Sequence, residues 1–433
     1  VKPLKVRLIC LSDLLIYGGK PLNGSVRVSG AKNSVLKMMA ASILTKEPCI
    51  LRNVPNLIDV QRMLELLVDL GTNAKWLEPG TLYLHNPNGI STYGSERLMR
   101  EMRASILILG PLLARSHKAH VFYPGGCAIG PRPIDLHLKG LEALGASIEK
   151  EQGGVLYLYS DGRLKGARIY LDFPSVGATE NLMMAAVLAE GRTIIENVAR
   201  EPEVVELQRF LNTLGANVHG AGTDTIVVEG VEFGQLKGAD YTVIPDRIEA
   251  GTFLIAGAIT GGNVKVYGAR ADHNEALLYK LHEAGVNLNI GPNFIEVAKG
   301  PKARFTPLRI RTMPYPGFPT DLHPQMTALL ALADGTSLIT ETVFPDRFKY
   351  VHELIRLGAN ISVEGECAIV KGVPKLKGAK VEATDLRGGA ALVVAALAAS
   401  GDSTVQKLEH LDRGYENLTE KLLSLGALVE RYN

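Results

Sequence analysis

Val205-Glu206-Leu207-Gln208-Arg209-Phe210-Leu211-Asn212-Thr213-Leu214-Gly215-Ala216 carries the pattern from which the fold is read. Apolar residues recur at helical spacing and stop at Leu-Gly-Ala, so the stretch reads as an amphipathic helix closed by a glycine just past its last turn. The same ending returns at Leu70-Gly71-Thr72, Leu144-Gly145-Ala146, Leu357-Gly358-Ala359 and Leu425-Gly426-Ala427, with Ala284-Gly285-Val286 as a variant. These glycines fall roughly every 70 residues, which marks internal repetition of one structural unit.

Upstream of most of these endings lies a second helical stretch, apolar nearly all round and rich in small residues, the pattern of a helix buried on every side. The six are Ala31 to Leu44, Arg103 to Ala114, Ala178 to Ala189, Glu249 to Ile259, Asp321 to Ala333 and Arg387 to Ala399. Each leads into a short strand such as Cys49-Ile50-Leu51 or Thr193-Ile194-Ile195. After the Leu-Gly ending two strands joined by a hairpin are expected. A tag at Leu164-Lys165-Gly166-Ala167, Leu236-Lys237-Gly238-Ala239 and Leu376-Lys377-Gly378-Ala379, with Leu22-Asn23-Gly24-Ser25 at the N-terminus, reads as a hairpin turn. The last repeat stops at Leu428-Val429-Glu430-Arg431 without its hairpin, so strands from roughly Leu15 to Ser29 are expected to complete it. The pattern predicts an α/β protein of two similar domains with a cleft between them. Residues 32–244 hold repeats one to three, and residues 14–31 with 245–433 hold repeats four to six.

A chain of 433 residues exceeds one hydrophobic core, in keeping with two domains. A net charge of +2 gives no global attraction to nucleic acid or membrane, so any anion must be held by a local cluster. Cys10, Cys49, Cys127 and Cys367 are scattered, which favours a reducing compartment. No apolar run approaches membrane-spanning length, and the run in Val1 to Cys10 is too short for a signal peptide. Residues before about Leu14 are read as an extension, and the protein as cytoplasmic with no membrane insertion.

Charged and polar residues gather at equivalent points of the repeats. At the starts of the buried helices stand Lys32-Asn33, Arg103, Ser175-Val176-Gly177, Asp246-Arg247, Asp321 and Asp385-Leu386-Arg387; in loops after the following strands stand Cys127 with Arg132, Asp346-Arg347 and Asp412-Arg413. Helix N-termini attract anions through free N–H groups and the macrodipole, and an added Lys or Arg makes a phosphate site. Asp-Arg pairs can equally tie loops together, and Asp is an ordinary N-cap. Cys127 lies in Gly125-Gly126-Cys127-Ala128-Ile129-Gly130. It is either a small buried hydrophobe or a reactive thiol whose pKa is lowered by Arg132 and His137. No phosphate-binding P-loop, dinucleotide fingerprint or metal-ligand spacing occurs. The chemistry on offer is a thiol, carboxylates and cations, suited to acid/base work on an anionic substrate without metal or cofactor.

From about Tyr17 to Arg431 the sequence resembles the UDP-N-acetylglucosamine 1-carboxyvinyltransferase family of enolpyruvyl transferases. The resemblance is carried by Ser29-Gly30-Ala31-Lys32-Asn33-Ser34, Met102-Arg103-Ala104-Ser105-Ile106, the Gly125 to Gly130 loop, Arg132-Pro133-Ile134-Asp135-Leu136-His137, Ser175-Val176-Gly177-Ala178-Thr179-Glu180-Asn181, Pro245-Asp246-Arg247-Ile248-Glu249, Phe318-Pro319-Thr320-Asp321, Thr384-Asp385-Leu386-Arg387 and Leu411-Asp412-Arg413-Gly414-Tyr415. It implies two inside-out α/β domains of three repeats each, with the active site in the cleft. It also implies transfer of the enolpyruvyl group of phosphoenolpyruvate to the 3-hydroxyl of UDP-N-acetylglucosamine, the step that opens peptidoglycan precursor synthesis.

Carried over by residue, the resemblance makes Cys127 the proton donor to phosphoenolpyruvate, open to alkylation by the epoxide fosfomycin, and Asp321 the acceptor of the sugar hydroxyl proton. Lys32, Arg132 and Arg413 are implied to hold phosphate and carboxylate, assisted by Arg103 and Arg387. The UDP-sugar is implied to lie on Arg132, Pro133, Ile134, Asp135, Leu136, Ser175, Val176, Gly177 and the backbone of Val343, with Asn33 near the reacting hydroxyl. The stretch Asp172-Phe173-Pro174, before Ser175, departs from some relatives, which carry a basic residue there. The rival readings are a 3-phosphoshikimate 1-carboxyvinyltransferase, disfavoured by the Gly-Gly-Cys loop and the Arg132 to Leu136 segment, and an idle nucleotide-sugar-binding paralogue, disfavoured by Cys127, Asp321, Lys32 and Arg413 occurring together.

Overall fold

The computed structural model describes residues 12–123, 134–151, 154–298 and 304–432. The extension expected before Leu14 lies almost wholly outside them. In chain order the α-helices among these residues are α1 (Lys32–Ala41), α2 (Ile58–Asp69), α3 (Glu96–Glu101), α4 (Leu109–Ser116), α5 (Asp135–Ala143), α6 (Val176–Ala186) and α7 (Pro202–Thr213). They continue with α8 (Arg247–Ile259), α9 (Glu275–Glu283), α10 (His323–Leu330), α11 (Val351–Arg356), α12 (Leu386–Ala398) and α13 (Leu418–Ser424).

Each Leu-Gly ending closes an outer helix in the same way. Gly71, Gly145, Gly215, Gly285, Gly358 and Gly426 take φ between +81° and +106°, open to glycine without steric cost. The next residue's N–H then donates to a leucine carbonyl five positions back: Thr72 to Leu67, Ala146 to Leu141, Ala216 to Leu211, Val286 to Leu281, Ala359 to Leu354 and Ala427 to Leu422. Six copies of one helix stop thus turn the chain into six sheets.

The buried helices are α1, α4, α6, α8, α10 and α12, and two of them start later than expected. Pro111 sits in the first turn of α4, where its ring excludes an α-helical carbonyl at Leu107, and Arg103–Ile108 winds as 3₁₀ helix instead. Pro324 at the head of α10 likewise leaves Asp321 in the turn before that helix.

The Leu-Lys-Gly tags are not hairpin turns. Each leads into a strand that precedes a buried helix, and two of these strands pair in parallel with the strand after that helix: Arg168–Tyr170 with Arg192–Glu196, and Lys380–Glu382 with Asp402–Gln406. A Cβ on Gly166 or Gly378 would fall 2.3 or 2.2 Å from the carbonyl oxygen of Arg192 or Asp402. Close backbone approach, rather than turn geometry, demands these glycines.

Two of the parallel strands are exchanged. Asn23–Arg27 precedes α1 yet joins Asn263–Tyr267, whereas Ala239–Thr242 precedes α8 yet joins Cys49–Arg52. Asp13–Tyr17 inserts antiparallel between Asp402–Gln406 and Leu428–Tyr432, taking the hairpin place that the last repeat lacks. The two N-terminal strands therefore lie in different sheets and form no hairpin with each other.

Apolar side chains collect into two cores. One runs from Val35 to Val243; the other joins Leu14 to Val28 with Ile248 to Val429. In each, sheets lie outside and helices inside, the reverse of an ordinary layered α/β domain, so the fold is two inside-out α/β domains. They are linked by two antiparallel crossovers, where Ala31 N–H donates to the Ile244 carbonyl (2.7 Å) and Asp246 N–H to that of Ser29 (2.9 Å). A Cβ on Gly30 would fall 1.8 Å from the Asn53 carbonyl oxygen, so only glycine passes.

Candidate active site

A cavity of about 1060 Å³ opens between the two cores. All six buried helices, or the turns that begin them, reach it: Lys32 of α1, Arg103 ahead of α4, Ser175 to Gly177 of α6, Arg247 of α8, Thr320 and Asp321 ahead of α10, and Asp385 to Arg387 of α12. Converging helix N-termini give the cavity a positive field, a setting for a polyanion.

Two carboxylates order the cations. Asp59 in the first turn of α2 lies 3.2 Å from Lys32 Nζ and 2.9 Å from Arg413 Nε. Burial pushes the Asp59 carboxyl up, but Lys32 and Arg413 outweigh it and hold it below the ordinary range. Burial, reinforced by Arg387 and Arg413 and opposed by Asp59, lowers the Lys32 pKa. Asp321 sits between two guanidiniums, 2.8 Å from Arg347 Nη2 and 3.1 Å from Arg387 Nη2. There too burial works upward and is overwhelmed, by Arg347 and then Arg387, so the carboxyl stays ionised far below the usual carboxylate range. Arg387 is fixed in turn by its place in α12, whose N-cap Asp385 accepts the Arg387 and Gly388 N–H groups, and it lies over the Tyr415 ring at 5.4 Å.

On the other wall Ser175 caps α6, its Oγ accepting the Ala178 N–H at 3.3 Å, which leaves the leading N–H groups of Val176 and Gly177 for a ligand. Asp135 and Leu136 open α5 beside them. His137 is part of the same wall. Its Nδ1 accepts from Asn181 Nδ2 at 2.9 Å, and burial, with Arg103 nearby, lowers its pKa to about 3. A Cβ at Gly177 would press the ring at 3.2 Å, so glycine there keeps helix and imidazole together. A neutral imidazole carries no charge with which to lower a thiol pKa, and the thiol in question, that of Cys127, lies outside the described residues.

The structure brings Lys32, Asn33, Arg103, Asp135, Leu136, Ser175, Val176, Gly177, Asp321, Val343, Arg387 and Arg413 around one cavity. Ile134 does not line it; its side chain is buried in the first core. Val343 offers its carbonyl only, since Glu341 accepts its N–H at 2.7 Å. Cys127, Arg132 and Pro133 lie outside the described residues.

Sequence reasoning missed several lining groups. Asp59 shares a helix face with Met63, Leu66 and Leu70, so an acid in phase with an apolar stripe was its visible signal. Arg347 was noted as a charge but not placed in the site. Glu180, Glu201 and Glu203 line the cavity with Lys37 and Arg247; Glu180 lies 3.0 Å from Lys37, and burial still pushes its carboxyl up to about 7. No sequence spacing links these five residues, which come from α1, α6, the head of α7 and α8.

The EPSP synthase (3-phosphoshikimate 1-carboxyvinyltransferase) family matches residues 16–422. Among curated proteins, UDP-N-acetylglucosamine 1-carboxyvinyltransferase 1 of Carboxydothermus hydrogenoformans is 51% identical over 98% of this chain and 99% of its own length. The protein of the same name from Halalkalibacterium halodurans is 52% identical over 97% of this chain and 94% of its own. Among solved structures, the enolpyruvyl transferase NikO from Streptomyces tendae superposes with a TM-score of 0.88 at 27% identity, covering 98% of this chain and 99% of that one. An EPSP synthase from Acinetobacter baumannii shares the fold, with a TM-score of 0.77 at 20% identity over 98% of this chain and 100% of that one. With six repeats, a cation-lined interdomain cavity and nearly full-length identity to these relatives, the chain belongs to the enolpyruvyl transferases of the EPSP synthase family, among the UDP-N-acetylglucosamine 1-carboxyvinyltransferases.

Proposed function

We propose that the protein transfers the enolpyruvyl group of phosphoenolpyruvate to the 3-hydroxyl of UDP-N-acetylglucosamine and releases phosphate, as the names of its relatives suggest. The observation that carries the reading is the pairing of the ionised Asp321 with a cation set, Lys32, Arg387 and Arg413, in one interdomain cavity. Cys127 donates a proton to the methylene carbon of phosphoenolpyruvate, which builds positive charge on the neighbouring carbon; the sugar oxygen attacks that carbon while its proton passes to Asp321. Return of a methyl proton to the Cys127 thiolate then restores the double bond and expels phosphate, which leaves with the proton held by Asp321. Lys32, Arg132 and Arg413 hold the phosphate and carboxylate, with Arg103 and Arg387 assisting, and stabilise the departing charge. Because the attacked carbon is already cationic, weak base help from Asp321 suffices.

Asn33, Asp135, Leu136, Ser175, Val176, Gly177 and Val343, together with Arg132 and Pro133, are assigned to the UDP-sugar. The two domains comprise residues 32–244 and residues 14–31 with 245–433, an assignment supported by the two separate cores. No helix among the described residues is long and apolar enough to cross a membrane. A cytoplasmic site of action follows from substrates that are themselves highly charged metabolites.

Phosphate release on mixing phosphoenolpyruvate with UDP-N-acetylglucosamine tests the reading. Release with UDP-N-acetylglucosamine and none with 3-phosphoshikimate is expected; the opposite preference overturns the substrate assignment. Cys127→Asp keeps a proton donor and should turn over while resisting fosfomycin, and Cys127→Ser should lose at least about 100-fold in turnover. A fully active Cys127→Ser enzyme would remove the thiol from the mechanism.

A further inference from the structure

Residues 412–416, from one domain, are fastened to the head of α2 in the other. The Ile58 N–H donates to the Asp412 carbonyl at 3.2 Å, and the Asn56 N–H donates to Glu416 Oε1 at 2.7 Å. Arg413 Nε donates to Asp59 between these two points. Helix α2 has Leu57 at its N-cap and no side-chain cap of its own, and its first N–H, that of Ile58, is taken by a carbonyl of the other domain.

The second oxygen of Glu416 continues the network into the crossover. Ser29 Oγ donates to Glu416 Oε2 at 2.6 Å and accepts from Lys421 Nζ at 2.7 Å, while the Ser29 N–H donates to Glu249 Oε2 at 2.7 Å. Ser29 immediately precedes Gly30, at the point where the chain passes between domains. One half-buried carboxylate thereby joins the segment bearing Arg413, the head of α2 and the crossover. Glu416 does not line the cavity, and the mechanism above gives it no part.

We propose that Glu416 is a positioning residue for enolpyruvyl transfer, setting Arg413 against Asp59 and Lys32 by clamping residues 412–416 to the Asn56 N–H and Ser29. The inference rests on the functional reading above. Arg413 and Glu416 engage the same helix end at residues 59 and 56, so releasing one contact shifts the other. A displacement of about 1 Å at a group that holds the reacting anion can cost about 100-fold in rate.

The test compares Glu416→Ala and Glu416→Gln with wild type, each also in an Arg413→Ala background, with phosphoenolpyruvate as the varied substrate. Glu416→Ala should lower kcat/KM for phosphoenolpyruvate by about 10- to 100-fold. The Kd for UDP-N-acetylglucosamine by calorimetry should stay within about 2-fold, because Asp135, Leu136 and Ser175 to Gly177, assigned to that ligand, lie on the wall opposite Arg413. In the Arg413→Ala background the same substitution should cost almost nothing more, the signature of two groups acting as one. Losses that multiply in the double variant overturn the proposal, as does a folded Glu416→Ala enzyme of wild-type efficiency. Should the alanine variant not fold, Glu416→Gln decides by the same criteria: it keeps the side-chain volume and one acceptor but cannot also accept the Ser29 hydroxyl. Wild-type protein that releases no phosphate removes the functional reading itself, and that result comes before any variant is compared.

Discussion

Asp321 is an unusual base. Two guanidiniums within 3.1 Å keep it ionised, so it holds protons poorly and works only on an acceptor hydroxyl whose attack is already strongly downhill. Its depressed pKa fixes the sign of two pH effects. The stability contributed by its ion pairs, like that of Asp59, is complete above the ordinary Asp pKa of about 3.9 and is lost only as pH falls below it. Asp321 also stays charged throughout the assay range, so it does not produce an acid limb there. Asp321→Asn should lower kcat by about 100-fold or more. Arg347→Met removes one guanidinium, raises the Asp321 pKa, and should bring an acid limb into the pH–rate profile that wild type lacks. A profile unmoved by Arg347→Met would mean that Asp321 does not supply the base. Lys32, Arg387, Arg413 and Asp321 were legible in sequence because each stands at a repeated landmark, a helix start or the loop after a strand. Asp59 was not, because its role comes from a partner 354 positions away, fixed only by the docking of one domain on the other, and the part of Arg347 depends on tertiary packing that brings it to Asp321, 26 positions away in its own domain.

At the level of elements, the buried helices were legible because an apolar surface all round admits one location, and the stops of the outer helices because glycine accepts the required φ without steric cost. The tag glycines were misread because Asn-Gly and Lys-Gly suit either a turn or a backbone crowded against a neighbour, and the choice depends on a strand about 25 residues further on. A third device had no visible signal. Arg163 donates to the carbonyls of Leu188, Ala189 and Val231, closing the C-terminal side of α6. Arg304 does the same beyond α10, through Leu332, Ala333 and Val373, and Arg115 beyond α1, through Ile43, Thr45, Asn86 and Asn88. In each case the helix points its start at the cavity and has its far end held by an arginine from a different repeat. Arg163→Ala strips three carbonyls of their donor, and an unsatisfied buried group costs about 1–3 kcal/mol. The denaturation midpoint should fall while kcat stays near wild type, since Arg163 is not at the cavity. An unchanged midpoint in urea would show these contacts to be incidental.

The molecule as a whole is two domains held around a cluster of positive charge, and without substrate the protein's own carboxylates supply the counter-charge. Asp59 is the decisive one, because it bridges Lys32 of the first core's leading helix and Arg413 of the opposite domain. Replacing it by Asn leaves those cations, with Arg387 close enough to depress Lys32 further, facing one another across the crossovers. Breaking a buried ion pair by removing one partner costs about 3–5 kcal/mol, less here because Arg413 retains 25% of its side-chain exposure. The folded state of Asp59→Asn should therefore melt several degrees below wild type in a buffer free of multivalent anions. An anion that occupies the vacated position stabilises the folded state by RT ln(1 + [L]/Kd), so inorganic phosphate should raise the variant's melting temperature more steeply than that of wild type. Phosphate titration followed by thermal unfolding gives the comparison directly. Parallel curves for the two proteins would mean that Asp59 does not stand in for the substrate phosphate, and that the domains are held together by contacts other than this charge cluster.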